Sequence, residues 1–376
     1  MKEQAAILAE ARRLRRDDQP FALATVVKIN GSAYRRPGAR MLIAPDGAIV
    51  GTISGGCLEQ EVAQHGLAAI DAGTPRVEAF DLSDDDLILG YGIGCDGVVH
   101  VLIEPVVPGS PSDPLALVEA CLERRAPGLL ATVTGAPAPE ALAQHLLFFE
   151  NGSTRGDLAL DGVRAAVEAD AAEALAERRP QIRQYETEAG PVEVLFDIVE
   201  PPVRLLVFGG GHDVRPVVRM AKELGWEAVL VGRKPPEQLA ERFPEADAHV
   251  FLMNPEELQE HVAVDARSPA VVMNHNYVRD KTLIGELLMA KAPYVGALGP
   301  RHRTERIVEE LKAEREALTD ADFERLHGPV GLDIGTETPE EIALAIAAEV
   351  QAVLHGRSAQ KLRAREGSIH DRVPVV

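Results

Sequence analysis

The sequence predicts an α/β protein in two parts: an amino-terminal α/β domain over residues 1–200 and a Rossmann-like, doubly wound parallel-sheet domain over residues 201–356. Three observations predict it. Residues 203–208 are an apolar run ending at Gly209-Gly210-Gly211, followed by a helical pattern over 212–224 and a second apolar run over 227–231. That is the strand, glycine turn, helix and strand of a dinucleotide-binding unit. The alternation then continues, with strands expected over 248–252, 269–273 and 294–298 and helices over 255–261, 281–291 and 301–315. Upstream of Pro201-Pro202, a stiff linker, the pattern changes to short apolar runs joined by turn residues.

Each element has a local reason. Residues 2–16 place apolar residues at helical spacing, and 21–29 read as a buried strand. Residues 30–38 are a turn-rich loop carrying Arg35 and Arg36. Two apolar runs joined by Asp46-Gly47 give the strongest short hairpin signal. Leu58, Val62 and Leu67 then mark an amphipathic helix to about Ala72. Further strands are expected at 76–82, 98–103, 129–134, 145–149, 184–188 and 192–198, with helices at 115–125 and 163–179. Near the end, Thr338 is an N-cap, Pro339 occupies the first helical position, and Glu340 and Glu341 fill the first turn of a helix to about Leu354. Residues 357–376 are charged and proline-punctuated, and a loose tail is expected there. No internal repeat is visible.

Composition narrows the function. The chain has 39 basic and 59 acidic residues, a net charge of −20, which disfavours nucleic acid and anionic membrane surfaces as partners. No apolar run reaches membrane-spanning length, and the first residues lack a signal-peptide pattern. Cys57, Cys95 and Cys121 form no CxxC pair. That argues against a disulfide scaffold or a structural zinc and fits a reducing cytoplasm.

The chemistry concentrates in turns. Ser54-Gly55-Gly56-Cys57-Leu58-Glu59 reads as a loop closing onto a helix start, where free amides attract anions and favour a thiolate. The same pattern is compatible with a tight turn holding a small core cysteine. A second glycine-rich loop, residues 89–97, carries Cys95. Ser83-Asp84-Asp85-Asp86 lacks metal-ligand spacing and reads as a solvated loop.

In the second domain, Gly209, Gly210, Gly211 and His212 fall on the nucleotide turn, although Val214 stands where a strict GxGxxG has its third glycine. An acid for the ribose hydroxyls is also missing, and Gly232-Arg233-Lys234 stands in its place. A basic pair there favours NADP over NAD; the alternative is a nucleotide fold that has lost tight binding. His275, Asn276, Gly299, Arg301 and Arg303 lie at strand ends, where doubly wound folds place ligands; the two arginines are equally compatible with solvated surface. His275 is open to two readings, an acid/base group or a hydrogen-bonded side chain.

With these motifs in view, the chain resembles the XdhC/CoxI family, maturation proteins for xanthine dehydrogenase and related molybdenum hydroxylases. Four stretches carry the resemblance. They are Gly31-Ser32 with Arg35-Arg36-Pro37-Gly38-Ala39-Arg40; Gly51 through Ser54-Gly55-Gly56-Cys57 and Glu59; Phe208 to His212; and Gly296 to Gly299 with Gly331 to Gly335 and Thr338 to Ile342. The resemblance implies a cytoplasmic, commonly dimeric chaperone rather than an enzyme. Such a protein binds the molybdenum cofactor, shields it during sulfuration and delivers it to the apo-hydroxylase, with a cysteine desulfurase as second partner. By matching position, Cys57 is the implied sulfur or molybdenum contact, and Arg36 and Arg40 are implied anion contacts. A basic Arg233 departs from the family, which commonly has an acid there. Two further readings stand beside this one: an NAD(P)-dependent oxidoreductase and a dinucleotide-sensing adaptor.

Overall fold

A computed structural model describes residues 2–31, 33–82, 97–159 and 163–366. The chain divides into two compact units, one spanning Glu3–Pro201 and a second beginning at Pro202.

The first unit runs α1 (Lys2–Arg16), β1 (Phe21–Gly31), β2 (Arg40–Ile43), β3 (Ile49–Gly51), α2 (Glu59–Ala72), β4 (Arg76–Asp81) and β5 (Gly97–Val106). It continues with α3 (Pro114–Glu123), β6 (Gly128–Gly135), β7 (His145–Phe149), β8 (Thr154–Asp157), α4 (Arg164–Glu177), β9 (Gln181–Thr187) and β10 (Gly190–Val199). The strands form two five-stranded sheets, β3-β2-β1-β5-β4 and β8-β7-β6-β10-β9. Every pairing is antiparallel, and β2 and β3 form the hairpin expected from Asp46-Gly47.

These two halves have the same element order and the same strand order, so the unit is built from an internal repeat that the sequence reading did not find. The match extends to single positions. Arg40 and His145 each open the second strand of their half, opposite Thr25 and Thr132. Glu104 and Asp197 each stand eighth in the last strand, opposite Leu23 and Leu130. The acids and bases pair crosswise: Arg40 meets Asp197 at 2.6 Å, and His145 Nε2 meets Glu104 Oε2 at 2.7 Å. The residues differ while the pairing pattern persists, which is why self-similarity of residue identity does not reveal it.

Strand alternation sorts the cores. Leu23 and Leu42 of the first sheet and Leu130 and Leu147 of the second share one cluster with α1 and α3. The opposite faces pack against α2, through Ala24, Met41 and Val62, and against α4, through Ala131, Leu146 and Val167.

The second unit contains β11 (Arg204–Phe208), α5 (Val214–Glu223), β12 (Glu227–Gly232), α6 (Pro236–Arg242), β13 (Ala248–Phe251) and α7 (Leu258–His261). After these come β14 (Ala270–Val272), α8 (Tyr277–Met289), β15 (Val295–Ala297), α9 (Arg301–Glu314), α10 (Asp320–Phe323), β16 (Leu326–His327) and α11 (Pro339–Leu354). All six strands are parallel, in the order β13-β12-β11-β14-β15-β16. Along β11, Leu205 and Val207 face the cluster containing α5 and α11, while Leu206 and Phe208 face the one containing α8 and α9. This is the doubly wound fold expected from the sequence, and its strand order reverses between β11 and β14, where such folds hold ligands. Thr338 and Glu341 form a complete capping box at the start of α11.

Among the described residues, no helix is long and apolar enough to cross a membrane.

Candidate functional site

In the first unit the turn between β3 and α2 is built around two buried side chains. Ser54 Oγ donates to Glu59 Oε2 at 2.5 Å and accepts from the amides of Gly56, Cys57 and Leu58 at 3.1–3.2 Å. Glu59 Oε1 accepts from the amides of Ile53 and Ser54. Burial alone would raise the Glu59 carboxyl, but the Ser54 hydroxyl and the surrounding amides outweigh it and hold it below the usual range. The expectation of free amides at this helix start is corrected here. The amides of Ile53, Ser54, Gly56, Cys57 and Leu58 are satisfied by the protein's own hydroxyl and carboxylate, so a ligand does not meet them as vacant donors.

What the turn does present is an open glycine face beside sulfur. Gly55 and Gly56 are exposed, and Cys57 is half-buried. Gly56 has φ +112°, and a Cβ added there would meet nothing within 4 Å; one added at Gly55 would lie 3.8 Å from the Tyr34 ring. A ligand can therefore approach the backbone closely at this point. Cys121, by contrast, is fully buried on α3, and burial pushes its thiol up to about 11 against the opposing charge of Arg124.

The arginines expected to join this site separate. Arg35 lies beside the turn, bound to Glu3 at 2.6 Å and to Thr52 Oγ1 at 2.8 Å. Arg36 is exposed in the same loop. Arg40 is different: its guanidinium is engaged by Asp197, both side chains are mostly buried, and its expected role as an anion contact is corrected to a structural one. Cys95 and the loop around it, the acidic run 83–86 and the end of the expected tail lie outside the described residues.

In the second unit, a cleft of about 170 Å³ opens at the carboxyl ends of β11 and β12. Backbone at Gly209, Gly210 and Gly232 lines it, together with the apolar side chains of Leu239 and Phe243. Arg233, Lys234, Arg242 and Asn274 complete the lining. The glycines serve different ends. A Cβ at Gly209 would lie 2.9 Å from the Met273 carbonyl, whereas one at Gly210 would meet nothing within 4 Å, leaving room for a ligand's phosphate. At Gly211 a Cβ would run into the Asp213 carboxylate, which would have to turn aside.

His212 is exposed in this turn. His275, also exposed and with φ +58°, places Nε2 3.0 Å from Asp213 Oδ2, joining the end of β14 to the glycine turn. Gly299 has φ +139° and packs against the Arg303 side chain, which is itself bound to buried Asp280 at 2.6 Å. Arg303 is thus part of the framework, while Arg301 is exposed. Sequence reasoning missed Arg242, Leu239 and Phe243, because α6 folds back over the end of β12 and only the fold reveals it; it also missed Asp213.

Comparison with known proteins agrees with both units. The family described as the XdhC Rossmann domain matches residues 205–350, and the XdhC and CoxI family matches residues 14–81 and 121–186. A protein of Bacillus subtilis described as a probable xanthine dehydrogenase subunit is 30% identical over 89% of this chain and 93% of its own length. The molybdenum cofactor insertion chaperone PaoD of Escherichia coli is 25% identical over 88% of this chain and 82% of its own length. A crystal structure described as a xanthine dehydrogenase from Bacillus halodurans, 26% identical, superposes with a TM-score of 0.73 and covers 96% of this chain and 98% of that one. The chain belongs to the XdhC and CoxI family.

Proposed function

We propose that this protein is a molybdenum cofactor insertion chaperone serving a xanthine dehydrogenase-type molybdenum hydroxylase. In this reading residues 1–200 handle the cofactor and residues 201–356 bind a nicotinamide dinucleotide, NADP or NAD. The cofactor is held with Cys57 at its metal–sulfur end while the terminal sulfur is installed, and is then passed to the apo-hydroxylase. A cysteine desulfurase supplies the sulfur, and the chaperone works as a homodimer in the cytoplasm.

The observation that carries this reading is the turn at Gly55-Gly56-Cys57. It combines an open backbone face with a half-buried sulfur, in a chain related along most of its length to a protein described as a molybdenum cofactor insertion chaperone. A thiolate is a soft ligand suited to a metal–sulfur centre. Arg36 is the cation in the adjoining loop that we assign to the cofactor's phosphate.

The test loads the purified protein with molybdenum cofactor and follows molybdenum and pterin retention, then activation of an apo-hydroxylase. Cys57→Ala is expected to keep the fold and lose at least about tenfold in retention or in activation. Full molybdenum content with full activation in that variant would remove Cys57 from the mechanism.

A further inference from the structure

We propose that the cleft at the end of β12 is built for a dinucleotide whose adenosine ribose carries a 2′-phosphate, with Arg233, Lys234 and Arg242 as the groups that receive it. This rests on the dinucleotide reading above and names the ligand class for that site.

The argument begins with charge. In a doubly wound unit the adenosine ribose reaches the end of the second strand, here Gly232. A carboxylate there binds both ribose hydroxyls and repels a 2′-phosphate. None of the residues lining this cleft is acidic, and three are cationic. The acids of α6, Glu237 and Glu241, are exposed and do not line it.

The cations are also uncommitted. Several arginines of this unit are tied to carboxylates, as Arg204 is to Glu227, Arg219 to Glu245, Arg303 to Asp280 and Arg325 to Asp322. Arg233 and Lys234 are exposed and have no carboxylate partner among the described residues. Arg242 lies over the Phe243 ring at 5.5 Å and likewise has no carboxylate partner there. Behind them stands a fourth cation. Arg279 directs its guanidinium at the carbonyls of Leu252 and Met253, and burial, then the charge of Arg233, holds it below the usual guanidinium range. Arg233 and Arg279 repel one another, Asp280 and Glu256 offset part of that repulsion at Arg279, and a dianionic phosphate monoester at the cleft relieves more of it.

Shape agrees with charge. Gly232 fits closely, since a Cβ there would lie 3.1 Å from the Leu239 side chain and press on it. Leu239 and Phe243 give the cleft an apolar wall suited to a purine, and Gly210 leaves space on the pyrophosphate side. Asp213, beside the glycine turn, is partnered by His275 and does not line the cleft.

The test titrates the full-length protein with NADPH and with NADH, followed by nucleotide fluorescence, with 2′,5′-ADP and 5′-AMP as competitors. NADPH is expected to bind at least about tenfold tighter than NADH, and 2′,5′-ADP to compete better than 5′-AMP. The double variant Arg233→Glu, Lys234→Glu alters two exposed side chains, and a thermal melt checks its folding. It is expected to abolish or invert the preference. NADH binding as tight as NADPH, or a preference that survives in the folded double variant, overturns the 2′-phosphate assignment alone. Binding of neither nucleotide overturns the dinucleotide reading together with it.

Discussion

The first unit contains its own control, because its two halves repeat one topology and differ in what hangs on it. Both halves have a leading helix, three strands, a 14-residue helix and two closing strands. Both give one acid and one base to the crossed pairs. Features present in both halves belong to the frame. The Ser54–Cys57 turn, bracketed by Glu59 and faced by Tyr34, stands before α2. The corresponding connection from β8 to α4 has no cysteine anywhere in its sequence, residues 158–163. What one half has beyond the other is what the frame does not require, and in this unit that excess is a glycine face with a sulfur at its edge.

The largest expected effect comes from breaking the shared frame. Asp197→Ala leaves Arg40 without its carboxylate, and His145→Ala leaves Glu104 with none of its side-chain partners; Glu104 Oε1 already has no hydrogen bond. Removing one partner of a buried pair leaves a stranded charge, so each variant should lose about 3 kcal/mol or more of unfolding free energy in urea. A loss under about 1 kcal/mol in either would mean that the pair is not part of the frame.

Next in size is the turn itself. Ser54→Ala removes the acceptor of three amides and a partner of Glu59, and should cost about 1–2 kcal/mol. The variant should also alter acid sensitivity. In the folded protein Glu59 is held below its ordinary value of 4.5, so its contribution is complete above that pH and is lost as pH falls through the lower folded value. Ser54→Ala should move that loss to higher pH and shrink it. An unchanged acid profile in thermal melts would break the link between Ser54 and the carboxylate.

The smallest energetic change belongs to Cys57→Ala, expected within about 1 kcal/mol of the parent, because the side chain is only half-buried. Its sulfur should nonetheless be the more reactive. Iodoacetamide near pH 8, read by peptide mass mapping, should modify Cys57 at least about tenfold faster than Cys121, whose thiol burial has raised to about 11. Equal rates would erase the distinction between a presented and a packed cysteine.

How much of this was legible in sequence depended on range. Asp46-Gly47 marks its hairpin and Thr338 to Glu341 mark a helix start, because turns and caps are decided by neighbouring residues. The glycine turn and parallel strands of the second unit were readable for the same reason. The helix expected from 281 begins earlier, at Tyr277, because Asn276 accepts from the Arg279 amide and caps it. Partners far apart in the chain were not readable. Arg40 read as an anion contact until Asp197, 157 residues away, was seen to hold it. The repeat was hidden because alternation and complementary charge were kept while Arg40 became matched by His145 and Glu104 by Asp197. Arg242 reaches the cleft only through the placement of α6.

The crossed pairs have one more consequence. Each half lends its counterion to the other, so a fragment ending after β5 would carry both an orphaned guanidinium and an orphaned carboxylate, and its apolar face would lack a lid. The halves are therefore obligate companions, and the stretch from Val107 to Ser112 that joins them is a tether rather than a beam. Severed there, the two pieces should find each other again, because the information that docks them lies in the facing sheets and not in the peptide between them.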